Sequence, residues 1–194
     1  MNKIKFLILP VLLLAFSTSN VAGEVSNTPE TPKVEARQLD SRAKVLAEYF
    51  SKYNSPLEYQ AQNFVDAADT YGVDWKLVPA IAGVESTFGK HIPGEYNAWG
   101  WGIYGDNRLG FNSWKHGIYT VTGGLKKGYI DKGLTDPYSM NRVYAASPTW
   151  GAKVSHFLGD IEGFAAGYSD GEKSTVRANA LARTYSASAQ LALR

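Results

Sequence analysis

The chain has 194 residues, no cysteine and a formal net charge of +2. That length suits one domain with appendages, and the lack of cysteine excludes a disulfide framework and a lipid-modified cysteine. Lys3 and Lys5 account for the excess positive charge. Residues 24–194 are therefore balanced and offer no electrostatic footprint for nucleic acid or for an anionic membrane.

The first residues read as a secretory signal. Lys3 and Lys5 precede an apolar run over 6–16, and Val21-Ala22-Gly23 supplies small residues for cleavage. The run is too short for an ordinary membrane span, with an uncleaved anchor as the alternative, and no later segment is long and apolar enough for one. A soluble product outside the cytoplasm is expected, in a periplasm, in a cell wall or secreted. Residues 24–39 are rich in Glu, Thr, Pro and Ser and read as a flexible spacer. The folded domain is expected over 40–168.

Asp40-Ser41 caps a first helix reaching about residue 53, with Val45, Leu46, Tyr49 and Phe50 on one face. Ser55-Pro56, with Glu58 behind it, starts a second, which ends at Gly72. Asp74 caps a third helix that is apolar around most of its circumference, from Trp75 to Val84. Such a helix is a buried central one. Residues 90–112, dense in Gly, Pro, Asn and aromatics, predict turns with a short hairpin. Ser113 starts a helix over 114–132, weakened in its middle by Gly123-Gly124. Asp136-Pro137 and Ser147-Pro148 begin the last two, the second carrying Trp150, Val154, Phe157, Leu158 and Ile161. From residue 169 the chain is a polar, alanine-rich tail with only a weak helical face over 173–193.

The third helix ends in Val84-Glu85-Ser86. A carboxyl group on a buried helix resists ionisation, because burial penalises the charge and the negative end of the helix dipole adds to the penalty. An acid kept neutral near neutral pH can protonate a leaving group. A solvated Glu at a fraying end is the plain alternative. Residues 96–105, Tyr-Asn-Ala-Trp-Gly-Trp-Gly-Ile-Tyr-Gly, interleave four aromatics with three glycines. Flat rings suit the C–H faces of sugars, so Trp99, Trp101 and Tyr104 are candidate sugar contacts. Trp99 and Trp101 would share one face of a strand, and either serves equally as a core plug. Asn97 offers a donor and an acceptor for an acetamido or hydroxyl group. His91, His116 and His156 are scattered and show no metal-ligand spacing. No metal and no cofactor is expected. Gly100, Gly102 and Gly105 match a dinucleotide fingerprint in spacing, but no strand pattern precedes them.

Glu85-Ser86-Thr87-Phe88-Gly89 followed by Asn97-Ala98-Trp99-Gly100 resembles the bacterial cell-wall N-acetylglucosaminidases of the lysozyme-like superfamily. The soluble lytic transglycosylases of that superfamily are a second, looser match, since their Gly-Leu-Met-Gln motif is missing here. The resemblance covers roughly residues 56–162. It implies a mainly α, α+β lysozyme-like fold in which the loop and hairpin segment borders a glycan cleft. It also implies cleavage of the β-1,4 glycan strands of peptidoglycan. Glu85 would be the general acid. Ser86 would orient Glu85 or touch substrate, unless it only bonds nearby backbone. Tyr144 would face the cleft and steady Glu85 or an acetamido group, unless it is a core tyrosine. Glu95 and Asp106 are the candidates for a second carboxylate, each as readily a solvated loop acid. Without one, the N-acetyl group of the sugar would itself attack the anomeric carbon. Hydrolase and transglycosylase both stay open. So do a non-catalytic glycan-binding protein that keeps the cleft and a secreted glycosidase acting on chitin-like or glycoprotein N-acetylglucosamine chains.

Overall fold

A computed structural model of the chain describes residues 38–169, apart from 93, 104 and 107, together with residues 180, 182 and 183. The expected signal segment and nearly all of the spacer and tail lie outside the described residues. Among the described residues six α-helices carry the fold: α1 Ser41–Ser51, α2 Ala61–Tyr71, α3 Leu77–Ser86, α4 Trp114–Gly128, α5 Pro137–Tyr144 and α6 Trp150–Gly167. Single 3-10 turns at Pro56–Gln60 and Ile130–Lys132 precede α2 and follow α4. No strand occurs among the described residues.

The capping signals at Asp40, Ser113 and Asp136 and the stop at Gly72 act as expected, whereas α3 and α6 begin at Leu77 and Trp150 without a side-chain cap from Asp74 or Ser147. Asp40 Oδ1 accepts from Arg42 N at 2.8 Å, and Ser113 Oγ accepts from His116 N at 3.1 Å. Asp136 closes a capping box with Ser139 ahead of α5, and Gly72 ends α2 in the left-handed region. Such caps pair amide protons that a helix start would otherwise leave unbonded. The second expected helix begins differently. Ser55 Oγ accepts from Leu57 N at 3.0 Å and donates to Phe88 O at 2.6 Å. That tie to a distant loop draws the first turn into a 3-10 helix before α2 starts at Ala61. The expected helix over 114–132 likewise breaks at Tyr129.

Gly123-Gly124 does not interrupt α4; the pair makes room. A Cβ at residue 123 would lie 3.0 Å from the ring of Tyr71, and one at residue 124 would overlap the indole of Trp101. The helix accepts the low propensity of glycine so that two aromatic rings can pack on its backbone. The expected hairpin over 90–112 is also replaced. Among the described residues one backbone bond, Phe111 N to Glu95 O at 2.8 Å, joins its two sides. Left-handed glycines at 100, 102 and 105 and a left-handed Tyr96 turn the chain too often for a strand to extend.

Helix α3 is the central element, buried from Leu77 to Gly83. It packs on α6, while α2 packs on α4 and α5 on α6. It ends through three consecutive left-handed residues, Thr87, Phe88 and Gly89, with φ of 52°, 57° and 80°. Each non-glycine residue in that region costs about 1–2 kcal/mol. The turn persists because it drops Phe88 into the core, with its ring centroid 4.5 Å from Tyr53 and 5.1 Å from Phe157. Burial of such a side chain contributes about 1.5–3 kcal/mol. Thr87 points to solvent and gains nothing comparable. Thr87→Gly is therefore expected to stabilise the fold by about 0.5–1 kcal/mol, the left-handed cost less the backbone entropy of glycine. Denaturant unfolding measures it, and an unchanged or lower midpoint would remove strain from the account of this turn. The tail contributes Ala182, which is buried against the core.

Candidate active site

Glu85 sits on the last turn of α3, half-buried. Trp150 Nε1–H, from the first turn of α6, donates to its Oε1 at 2.6 Å. The indole of Trp150 stacks on Tyr144, with centroids 4.4 Å apart and planes at 19°. Tyr144 is fixed in turn by its hydroxyl, which donates to Trp99 O at 2.8 Å. Burial pushes the Glu85 carboxyl above the ordinary carboxylate range; the Trp150 bond and the charge of Lys153 pull the other way without cancelling it. Burial, with the charge of Glu85 second, also holds the Tyr144 phenol well above its ordinary value, so this hydroxyl stays neutral.

The two carboxyl oxygens are unlike. Oε1 accepts from Trp150. Oε2 faces Gly100, where a Cβ would stand only 3.2 Å away. Gly100 has a φ of +59°, so both the backbone and the space call for glycine. An acid whose Oε1 accepts carries its proton on Oε2. Beyond Gly100 lies a hollow of about 460 Å³ lined by Trp101, Ile103, Tyr129, Val143 and Tyr144. Its size falls in the usual range for small-ligand sites.

Three of the residues expected to touch substrate are consumed by the fold. Ser86 is buried; its hydroxyl accepts from Gly89 N at 2.7 Å and lies 2.8 Å from Ala98 O and 3.1 Å from Ala82 O. It ties the end of α3 to the loop and does not orient Glu85. Asn97 is fully buried. Its Nδ2 donates to Trp101 O and Leu109 O, both at 2.8 Å, and its Oδ1 accepts from Trp99 N and Trp101 N at 3.2 and 3.1 Å. Two donors and two lone pairs are all an amide has, so none is left for a sugar. Trp99 is also fully buried. Its Nε1 donates to Val78 O at 3.1 Å, and its ring meets Phe64 and Phe111. Gly117 admits it, since a Cβ there would come within 2.8 Å of the indole. Trp99 is a core plug.

Trp101 is half-buried and lines the hollow, its ring centroid 6.0 Å from Tyr144 and 6.3 Å from Tyr129. Tyr104 lies outside the described residues. Glu95 and Asp106 are exposed on the loop, and the charge acting on Glu85 is that of Lys153. Trp150 and Gly100 are the site residues that sequence patterning missed. Trp150 reads as one more apolar helix residue, and its only distinguishing signal is a polar N–H on a buried ring, which needs a partner. Among the described residues no three His, Asp or Glu side chains cluster to hold a metal ion, and no helix is long and apolar enough to cross a membrane.

Asn97→Ala is expected to cost about 2–4 kcal/mol, because four backbone groups, one buried and three part-buried, lose their partner at once. Thermal unfolding tests this; a raised KM with unchanged stability would instead make Asn97 a substrate contact. Set against known protein families and against the curated proteins, the chain matches none.

Proposed function

We propose that the protein cleaves the β-1,4 glycan strands of peptidoglycan, with Glu85 as general acid in a lysozyme-like cleft. The observation that carries this reading is a half-buried carboxyl group raised in pKa, clamped on one oxygen by Trp150 and facing, with the other, Gly100 at the edge of an aromatic hollow. Raised carboxyl groups in clefts mark acid catalysts.

The chemistry follows from the two oxygens. Oε2–H protonates the glycosidic oxygen as the C–O bond breaks, and the leaving sugar departs as an alcohol. The N-acetyl group of the cleaved sugar attacks its own anomeric carbon, a recognised alternative to a second carboxylate. Glu85, now a carboxylate held by Trp150, takes a proton from the incoming nucleophile. Water gives a reducing end. The sugar's own 6-hydroxyl gives a 1,6-anhydro ring. Trp101, Tyr129 and Tyr144 supply the apolar faces against which a pyranose ring packs.

Mass spectrometry of fragments released from purified peptidoglycan by residues 24–194 tests the reading and separates its two branches. Fragments ending in 1,6-anhydromuramic acid assign a lytic transglycosylase. Ordinary reducing ends assign a hydrolase and identify the bond. Retention on the sacculi with no fragment released would replace catalysis by binding.

A further inference from the structure

The chain as a whole is nearly balanced in charge, but α4 is not. Its 15 residues hold three lysines, one histidine and no acid. Lys115 and His116 stand in its first turn, Lys126 and Lys127 in its last. Eleven residues make three turns of an α-helix, a rise of about 16–17 Å, so the second pair repeats the orientation of the first. Burial follows the same wheel. Ile118, Val121, Thr122 and Leu125 are buried, whereas Lys115, His116, Thr120 and Lys127 are exposed.

The fold does not account for these charges. The helix dipole favours a lysine in the last turn but opposes one in the first, and Lys115 sits there with no acid in the turn to offset it. Lys126 pairs with Asp131. Lys115 and Lys127 make no ion pair among the described residues. Between the two cationic ends lie two half-buried rings, Tyr119 and Tyr71, with centroids 6.4 Å apart and planes at 72°. The Lys115 ammonium stands 5.8 Å from the centroid of Tyr119, and Tyr71 reaches this face because Gly123 leaves room for it.

We propose that the outer face of α4 binds a linear phosphodiester chain of polyol or sugar units, with phosphates at its two cationic ends and an uncharged unit over the tyrosines between them. A lysine ammonium meets phosphate as a point charge, and Thr120 adds a hydroxyl. Three turns separate the ends, so an extended chain reaches both and a single small anion does not. A bilayer surface needs apolar side chains to insert, and the aliphatic residues of α4 are all buried. Tilted, half-buried rings also offer no open faces for stacked nucleobases. None of these residues is among those that act on Glu85, so the proposal stands apart from the glycan-cleaving reading.

Binding of synthetic poly(glycerol phosphate) to the full chain tests this, with two variants matched in charge. Lys115→Gln/Lys127→Gln takes two charges from the face. Lys44→Gln/Lys52→Gln takes two from α1 and its C-cap, and α1 packs on α2 and α6. Wild type should bind, with an affinity that falls as salt is added. The α4 variant should bind about 10-fold more weakly and the α1 variant no more than about 2-fold, as expected for exposed ion pairs. Single-stranded DNA and phosphatidylglycerol vesicles should bind more weakly than the polymer. No binding by the wild type, the same loss in both variants, or DNA or vesicles held as tightly as the polymer would each overturn the proposal. Lys115→Gln removes a charge that the helix dipole opposes, so its melting temperature should not fall. A fall would assign Lys115 to the fold and overturn the proposal as well. Polymer binding by a protein that releases no peptidoglycan fragments would remove the catalytic role and keep this face. Turnover without polymer binding would do the reverse.

Discussion

Glu85→Gln is expected to lower fragment release from peptidoglycan by at least about 10³-fold, within the range that a general acid contributes, with the fold intact. The amide keeps an oxygen that accepts from Trp150 Nε1 at the place of Oε1. It also keeps the shape that packs beside Gly100. What it lacks is a transferable proton. Stability should change in the opposite sense from activity. Burial raises the pKa of Glu85 in the folded protein. A carboxyl group raised in this way favours folding while it is protonated, and that contribution is lost as pH rises through its folded value. Gln has no charge to form, so the variant should gain thermal stability relative to wild type as pH rises through that value. Melting curves across pH read the second effect and product analysis reads the first. A Gln variant with full turnover would end the assignment of Glu85 as the acid.

Trp150→Phe carries the next largest effect. Phenylalanine keeps a flat ring against Tyr144 but removes the N–H that holds Glu85 Oε1. A hydrogen bond to a charged group is worth about 1.5–3 kcal/mol, which corresponds to a loss of about 10- to 100-fold in kcat. KM should move little, since Trp101 and Tyr129 line the sugar hollow and Trp150 does not. The sign of the pH effect follows from the groups around Glu85. Trp150 and Lys153, both on α6, favour its carboxylate, and Tyr144 on α5 faces it as a neutral phenol. Removing the Trp150 bond raises the pKa of Glu85 further. The acid works while protonated, so activity should persist to higher pH in the variant even though its plateau is lower. A purely structural Trp150 predicts lost stability with the alkaline limb unmoved. Full kinetic profiles at a temperature where both proteins are folded separate the two cases.

These residues also show how much could be read before the fold was known. The helices were legible because their signals are local. Caps at Asp40, Ser113 and Asp136, the stop at Gly72 and the apolar periodicity of α1, α2 and α6 all act over three or four residues. The burial of α3, and so the raised pKa of Glu85, was legible for the same reason: a helix apolar on nearly every side has to be covered. The mainly helical character followed from these elements, whereas no strand of the expected hairpin occurs among the described residues.

The roles of the polar and aromatic side chains in residues 86–101 were decided elsewhere. Asn97 and Ser86 carry groups that bind a sugar or a carbonyl equally well, and Trp99 fits a cleft or a core. Only the tertiary structure brings Leu109 O to Asn97, Ala98 O to Ser86 and Val78 O to Trp99, and together with nearer backbone groups these carbonyls use up the bonds of Asn97 and Ser86. The clamp on Glu85 depends on groups 65 and 45 residues apart in the chain. Sequence patterning reports which residues must be buried, because that follows from composition and period alone. Which buried donor meets which acceptor is set by how α3, α5, α6 and the loop pack, because a hydrogen bond forms only where donor and acceptor are brought within about 3 Å in line.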